Sequence, residues 1–287
     1  INKSNCFVNS LLADSLYVWI GLEGELLRYS KKQCKVERTD IAYGNSIKSL
    51  AKDIYSDLLI GTDNGLFVLD TTEHLTHIVQ NAKYSNSLVG NIVWSLFSDR
   101  QGNVWIGSDY GVSMADMNDR FTSVSEITGL PDGNTFYAIM SDCHNRLWLG
   151  GSNGLLKTDE NLQNPVWYRL GDKDNALPHN RIRDIKEDKE GVIWIASDGG
   201  VNRYDENSKC FIRYNIEDTT GVYNANWAYQ ITDDGVGKLW IATCQGGVMV
   251  VDKSKFNSGG SHIEADFVIT KTNGLANNYI EQLQYDK

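Results

Sequence analysis

Short apolar runs alternate with polar, glycine-bearing turns along the whole chain, and one tripeptide marks the rhythm. Trp19-Ile20-Gly21, Leu59-Ile60-Gly61, Trp105-Ile106-Gly107, Trp148-Leu149-Gly150, Trp194-Ile195-Ala196 and Trp240-Ile241-Ala242 are variants of one motif, with successive anchors 40, 46, 43, 46 and 46 residues apart. A period in the forties filled with β-like segments is the spacing of propeller blades. An Asn stands fourteen residues before each anchor (Asn5, Asn45, Asn91, Asn134, Asn180, Asn226). An Asp stands six before it in five units (Asp53, Asp99, Asp142, Asp188, Asp234), and a Gly six after it in five (Gly65, Gly111, Gly154, Gly200, Gly246). The first unit departs from both, with Asp14 one place late and Glu25 in the place of the glycine.

Each unit reads as four strands. In the third, a first strand over Ile92–Phe97 leads through the turn Ser98-Asp99-Arg100-Gln101-Gly102 to the anchor strand Val104–Ser108. A second turn opens a third strand at Gly111–Met114, and Phe121–Val124 forms an irregular fourth. Asp suits the first turn because its carboxylate bonds local amides, and Gly because it takes positive φ. No dozen-residue window carries a helical i, i+3, i+4, i+7 stripe. The anchors Trp19, Trp105, Trp148, Trp194 and Trp240 are therefore assigned to packing between blades. The small residue two places later lets backbones approach, and Leu59 is expected to fill its interface less completely.

These markers define an all-β fold, a β-propeller of four-stranded blades. One propeller spans 1–287, with units at about 5–44, 45–90, 91–133, 134–179, 180–225 and 226–277 and the start of a seventh at 278–287. Counting from Asn278 and from Asp286 places the seventh anchor at the same point, five residues past Lys287. With Ile1 as its first residue, the chain reads as a piece of something larger.

Composition narrows the function. With 27 Lys and Arg against 37 Asp and Glu the net charge is −10, and no basic run offsets it, so nucleic acid is not an expected partner. Runs such as Gly247–Val251 are far too short to cross a bilayer. Cys6, Cys34, Cys143, Cys210 and Cys244 are odd in number and scattered, and predict isolated semi-buried thiols rather than a disulfide framework or zinc site. His74 and His77 lack a partner at ligand spacing, and Asp172-x-Asp174-Asn175 lacks the glycine and glutamate of a calcium loop. No metal and no cofactor is expected.

In a repeat protein, invariant positions build the scaffold and variable ones are free to build a site. Three residues after the Asn, in the strand that lines a propeller channel, stand Val8, Lys48, Trp94, Tyr137, Arg183, Tyr229 and Glu281. One residue after it stand Ser46, Thr135, Arg181, Trp227 and Tyr279. Aromatic faces among charged groups suit a sugar or another polar planar ligand. The candidate binding residues are Lys48, Trp94, Tyr137, Arg181, Arg183, Trp227, Tyr229 and Glu281, with the Arg181–Arg183 pair and Lys48 forming a positive patch. Catalytic motifs are absent, and a lyase or glycosidase would have to draw on Glu281, Asp184 or Glu187. A protein-interaction propeller is the other alternative.

The units, best seen in Leu177–Ile185 continued through Asp188-x-x-Gly191-Val192-Ile193-Trp194-Ile195-Ala196-Ser197-Asp198-Gly199-Gly200-Val201 to Tyr204-Asp205, resemble the two-component regulator propeller repeat. Four of the six complete units match well; the first lacks the turn glycines and the second lacks the Trp. The resemblance implies a non-enzymatic periplasmic sensor region of an inner-membrane hybrid histidine kinase, seven-bladed in the parent protein, with six blades plus one strand here. It implies an oligosaccharide ligand and, as partners, a second propeller and a β-sandwich of the same parent chain, and it allows a homodimer. It also allows ligand contacts at junctions between modules rather than in one channel.

Overall fold

The computed structural model describes residues 7–81, 83, 87–116, 121–123, 134–159, 161–171, 177–257 and 259–285. Asn5, Cys6, Asp286 and the segment Asp172–Asn175 lie outside them. Six antiparallel sheets follow one another as blades of a β-propeller. Blade one is Val8–Ala13, Tyr17–Leu22, Leu26–Ser30 and Lys35–Arg38; blade two Ile47–Lys52, Leu58–Thr62, Gly65–Leu69 and Leu75–Ile78; blade three Val93–Ser98, Val104–Ser108, Val112–Ala115 and Phe121–Ser123. Blade four is Phe136–Ser141, Arg146–Gly151, Gly154–Asp159 and Val166–Tyr168. Blade five begins Ile182–Glu187, Ile193–Ser197, Gly200–Asp205 and Cys210–Glu217, and blade six is Ala228–Asp233, Lys238–Thr243, Val248–Asp252 and Phe267–Ile269. The contacts divide the chain into two compact units, Ile1–Ile139 and Met140–Tyr285.

Two expectations about the strands need correction. Blade five carries a fifth strand: His262–Glu264, from the long last connection of unit six, runs parallel to Cys210–Glu217 with Ile216 opposite Ile263. The added strand covers the edge of the last three residues of that eight-residue fourth strand, Asn215–Glu217. The seventh unit forms no strand among the described residues: 278–285 join no ladder. They are held by Ile280 N–H donating to the Thr243 carbonyl (3.0 Å) and Gly247 N–H donating to the Asn278 carbonyl (2.9 Å).

The anchor tryptophans are packing residues with a second duty. Trp105, Trp148 and Trp194 are buried, and each indole N–H donates 2.8 Å to an Oδ2 of the turn Asp six residues earlier: Asp99, Asp142 and Asp188. Trp240 does the same to Asp234 at 3.3 Å. In blade one the turn is one residue shorter, and Asp14, only five before Trp19, still accepts its N–H at 3.1 Å. The other carboxylate oxygen closes the turn by accepting two backbone N–H groups, those of Gln101 and Asn103 in the case of Asp99. Each Asp therefore ties the turn to the indole that faces the next blade. Trp19, for instance, packs with Ile47, Leu50 and Ile60 of blade two. Leu59 is as well buried as the tryptophans, at 3 % exposure.

The small residue after the anchor is required by close approach. A Cβ on Gly107 would lie 2.7 Å from the Phe136 carbonyl oxygen, and one on Gly150 would lie 2.5 Å from Cγ2 of Ile182. The positive-φ turn glycine moves at both ends of the chain. In unit one the left-handed residue is Gly24 rather than position 25, so that unit does have its turn glycine, and in unit six it is Gly247 rather than Gly246. The repeated Asn acts as a staple: its carbonyl accepts the N–H of that glycine in the preceding unit (Gly65 to Asn91 at 2.6 Å, Gly154 to Asn180 at 2.7 Å). Its side-chain oxygen accepts a second N–H, from Gln80 to Asn91 and from Leu170 to Asn180, both at 2.7 Å.

Two of the turn carboxylates, Asp14 and Asp234, set an acid limit. Burial alone would raise the pKa of Asp14, but hydrogen bonds from the Tyr17 N–H, Lys52, the Leu16 N–H and the Trp19 indole bring it down to about 2. Asp234 is likewise low, its burial outweighed by the N–H groups of Lys238 and Val236 and by the Trp240 indole. A group whose folded pKa lies below its unfolded value of ~3.9 adds stability above that value and loses it as pH falls toward the folded pKa. Thermal midpoints should therefore hold from neutral pH to about pH 5 and drop between about 4 and 2, with a shallower drop in Asp14→Asn. Parallel curves for the two proteins over that window would count against this assignment.

Candidate ligand-binding site

The first strand of five blades, one, two, three, five and six, carries a β-bulge, and in four of them the bulged residue is the variable one. Pairing skips from Ile47 to Ser49, from Val93 to Ser95, from Ile182 to Asp184 and from Ala228 to Gln230. This leaves Lys48, Trp94, Arg183 and Tyr229 outside the ladder. A bulge re-aims a side chain and is a common device beside binding sites. In blade one the skip runs from Val8 to Ser10, so the bulged residue is Asn9 and not Val8. The same missing residue that moves Asp14 moves this position.

In the first unit, Lys48 Nζ lies 5.3 Å above the Trp94 ring, and Trp94 meets Tyr137 edge-on at 5.7 Å and 77°. Lys48 pairs with Glu23 at 3.4 Å, and Asn9 donates to the same carboxylate at 3.1 Å. The Ser46 hydroxyl first, together with Asn9 and the Lys48 charge, holds Glu23 below the usual carboxylate range.

In the second unit, Arg183 donates from Nε and Nη2 to the two Asp198 oxygens at 2.6 and 3.2 Å, and Arg181 Nη1 lies 3.6 Å from the same carboxylate. The Arg183 guanidinium also covers the Tyr229 ring at 4.8 Å. Tyr229 stacks on Trp227 (6.2 Å, 16°) and meets Tyr279 at 5.3 Å. The Tyr279 hydroxyl donates to Glu281 at 2.7 Å and lies 3.1 Å from that of Tyr229. Burial first, then these neighbours, raise the pKa of Tyr279 strongly, and burial raises that of Tyr229.

The expected positive patch is not what forms. Lys48 is matched by Glu23, and Arg181 and Arg183 converge on Asp198, so these cations orient aromatic rings and acids of their own chain. The partners that sequence reasoning missed, Glu23 and Asp198, share one register position, four residues after the anchor. Asp63 and Asp109 stand there too, and that recurrence was the available signal.

The acids considered for catalysis are engaged separately. Asp184 accepts the Ile231 N–H at 3.0 Å, and its burial raises its pKa. Glu187 accepts the Cys143 N–H at 3.0 Å, and Glu281 accepts from Tyr279. Among the described residues, Asp188, Glu190 and Asp233 bring three carboxylates together, but the Lys253 ammonium sits among them, 3.8 Å from Asp188, 3.2 Å from Asp233 and closer still to Glu190. No disulfide joins the described cysteines; Cys34 and Cys143 are exposed rather than semi-buried because both sit in turns. His77 stacks on Phe67 at 3.9 Å, with Nε2 2.6 Å from the Asn64 carbonyl oxygen. No helix of the described residues is long and apolar enough to cross a membrane.

Comparison with known proteins fits this geometry. The family described as Two component regulator propeller matches residues 87–110 and 176–199. Those two stretches are two-component regulator propeller repeats. A search of curated protein sequences gave no match. Among solved structures, the extracellular domain of the putative one component system BT4673 from Bacteroides thetaiotaomicron is 46 % identical over 98 % of this chain, with a TM-score of 0.53. That of BT3049, a putative hybrid two component system of the same organism, shares the fold at 21 % identity over 97 % of this chain, with a TM-score of 0.77. This regulator propeller spans 39 % and 37 % of those two chains. Virginiamycin B lyase from Staphylococcus aureus shares the fold at 10 % identity, over 88 % of this chain and 86 % of its own, with a TM-score of 0.59.

Proposed function

We propose that this propeller is the oligosaccharide-sensing part of an extracytoplasmic two-component regulator. The observation that carries the reading is the 46 % identity, along nearly the whole chain, to the extracellular domain of a putative one component system, a second structure of which is described as a hybrid two component system. The bulged residues Lys48, Trp94, Arg183 and Tyr229 support it, because five-blade repetition of a re-aimed first strand supplies aromatic and polar groups on one strand edge. In the full protein this module would stand in the periplasm beside a second propeller and a β-sandwich, tied to the inner membrane. Ligand-dependent repacking of these modules, or of two protomers, would carry the signal.

The purified chain should bind a member of an oligosaccharide panel by calorimetry and return it chemically unchanged after prolonged incubation. Cleavage or elimination of the sugar at enzyme-like rates would replace this reading with that of a propeller lyase or glycosidase.

A further inference from the structure

In the second unit, a cleft of about 400 Å³ opens where the anchor-strand turns of blades five and six meet the connection between the blades. Its lining includes Asp198, Asn224, Asn226, Trp227, Cys244 and Gln245. The volume is within the range of small-molecule sites.

The cleft is where blade six breaks the repeat twice. Asn226 holds the register position whose side chain, in Asn91 and Asn180, staples the preceding blade. Here, among the described residues, that amide has no hydrogen bond and is exposed; only its backbone N–H is engaged, with Asn224 Oδ1 at 3.2 Å. Cys244 holds the position four after the anchor, where Glu23, Asp63, Asp109 and Asp198 carry an acid and only Ser152 of blade four also lacks one. A scaffold position released from its scaffold bond, beside another stripped of its charge, marks a place where the fold serves something other than itself.

The walls fit one chemistry. Trp227 is 42 % exposed, yet its plane is fixed by stacking on Tyr229 and by its carbonyl accepting the Cys244 N–H at 3.1 Å. It is a preorganised flat face. Gln245 is exposed beside it and, with Asn226, presents an amide that both donates and accepts. No Lys or Arg lines the cleft, and its one charged group, Asp198, is already held by Arg183 and Arg181. We infer that this cleft binds an uncharged glycosyl ring, its C–H face on Trp227 and its hydroxyls on Asn226, Gln245 and Asp198. The inference rests on the oligosaccharide reading above and adds both the place and the neutrality of the ligand.

The test is calorimetry of the whole chain against neutral xylo-, arabino- and galacto-oligosaccharides and their uronic acid counterparts, at low and high salt. The expected result is that a neutral member binds with little salt dependence and its uronic counterpart binds more weakly. Trp227→Ala and an Asn226→Ala, Gln245→Ala double variant should each lose about tenfold or more in affinity, with the thermal midpoint unchanged in the double variant, whose side chains are exposed, and only slightly lowered in Trp227→Ala, which gives up its stack on Tyr229. Neutral binding that both variants retain would overturn this cleft and leave the sensor reading standing. Preference for the uronic acid with steep salt dependence would overturn the neutral class. No binding by any member would overturn the oligosaccharide reading and this inference with it.

Discussion

Asp142→Ala should cost about 3–5 kcal/mol, the scale of a buried charged network that loses one partner. Asp142 is fully buried and accepts four hydrogen bonds: the N–H of His144 and of Arg146, both at 2.9 Å, the Arg146 Nε at 2.6 Å and the Trp148 indole at 2.8 Å. Alanine orphans all four donors at once. Arg146 keeps Glu206, so the guanidinium is not left alone, but the indole and both turn amides are. Asp142→Asn separates charge from shape: one amide oxygen can still serve the turn, while the NH₂ group faces Arg146 and Trp148 as a further donor. Its loss should be about 2–3 kcal/mol, from the charged hydrogen bonds removed.

Blade two supplies the internal control. Asp53 closes the same turn, accepting the Tyr55 and Asp57 N–H groups at 2.9 Å, but faces Leu59 instead of an indole. Asp53→Ala should therefore cost only about 1–2 kcal/mol. Urea unfolding midpoints with unchanged slopes measure all three. Equal losses at Asp53 and Asp142 would show that the indole bond and the Arg146 Nε bond together add nothing to the turn.

The repeats were legible because their markers are local. The Trp, the turn Asp and the turn Gly each answer a demand within one hairpin, so they recur at fixed spacing whatever lies around them. The indole-to-carboxylate bond was not read from that spacing, since it crosses a turn and depends on the ladder that brings the two ends together. The bulge was hidden for a related reason: its effect is on pairing register, and the variable position three after the Asn looks like any other strand residue. The first unit shows the cost, because counting alone chose Val8 where the ladder selects Asn9. Charge was read least well. Arg183 and Asp198 stand fifteen residues apart, one on the first strand of blade five and the other in the turn just past the strand it pairs with, and only their adjacency turns a positive patch into an ion pair lying on Tyr229. The fifth strand of blade five could not be read from the repeat at all, since His262–Glu264 belongs by sequence to the next unit.

Trp194→Ala should match or exceed the loss at Asp142. Trp194 is 2 % exposed and lies in the cluster that joins blade five to blade six, with Ile231, Leu239, Ile241 and Met249 among its members. Phe256, delivered by the connection that also supplies the added strand, packs edge-on to the indole at 4.7 Å, and Tyr214 lies at 6.2 Å. Removing so large a buried ring leaves a cavity that two sheets cannot close, at about 3–5 kcal/mol. Trp194→Phe keeps most of the volume and removes the N–H that Asp188 accepts. Asp188 still accepts the N–H groups of Glu190 (3.0 Å) and Val192 (2.9 Å) and has Lys253 at 3.8 Å. The phenylalanine variant should therefore lose only about 1–2 kcal/mol. The difference between the two variants is then the packing contribution of the anchor, and the phenylalanine loss is the contribution of its bond. If both variants lose the same amount, the anchor acts mainly through Asp188, and the repeated tryptophan is chiefly a hydrogen-bond donor that happens to be large.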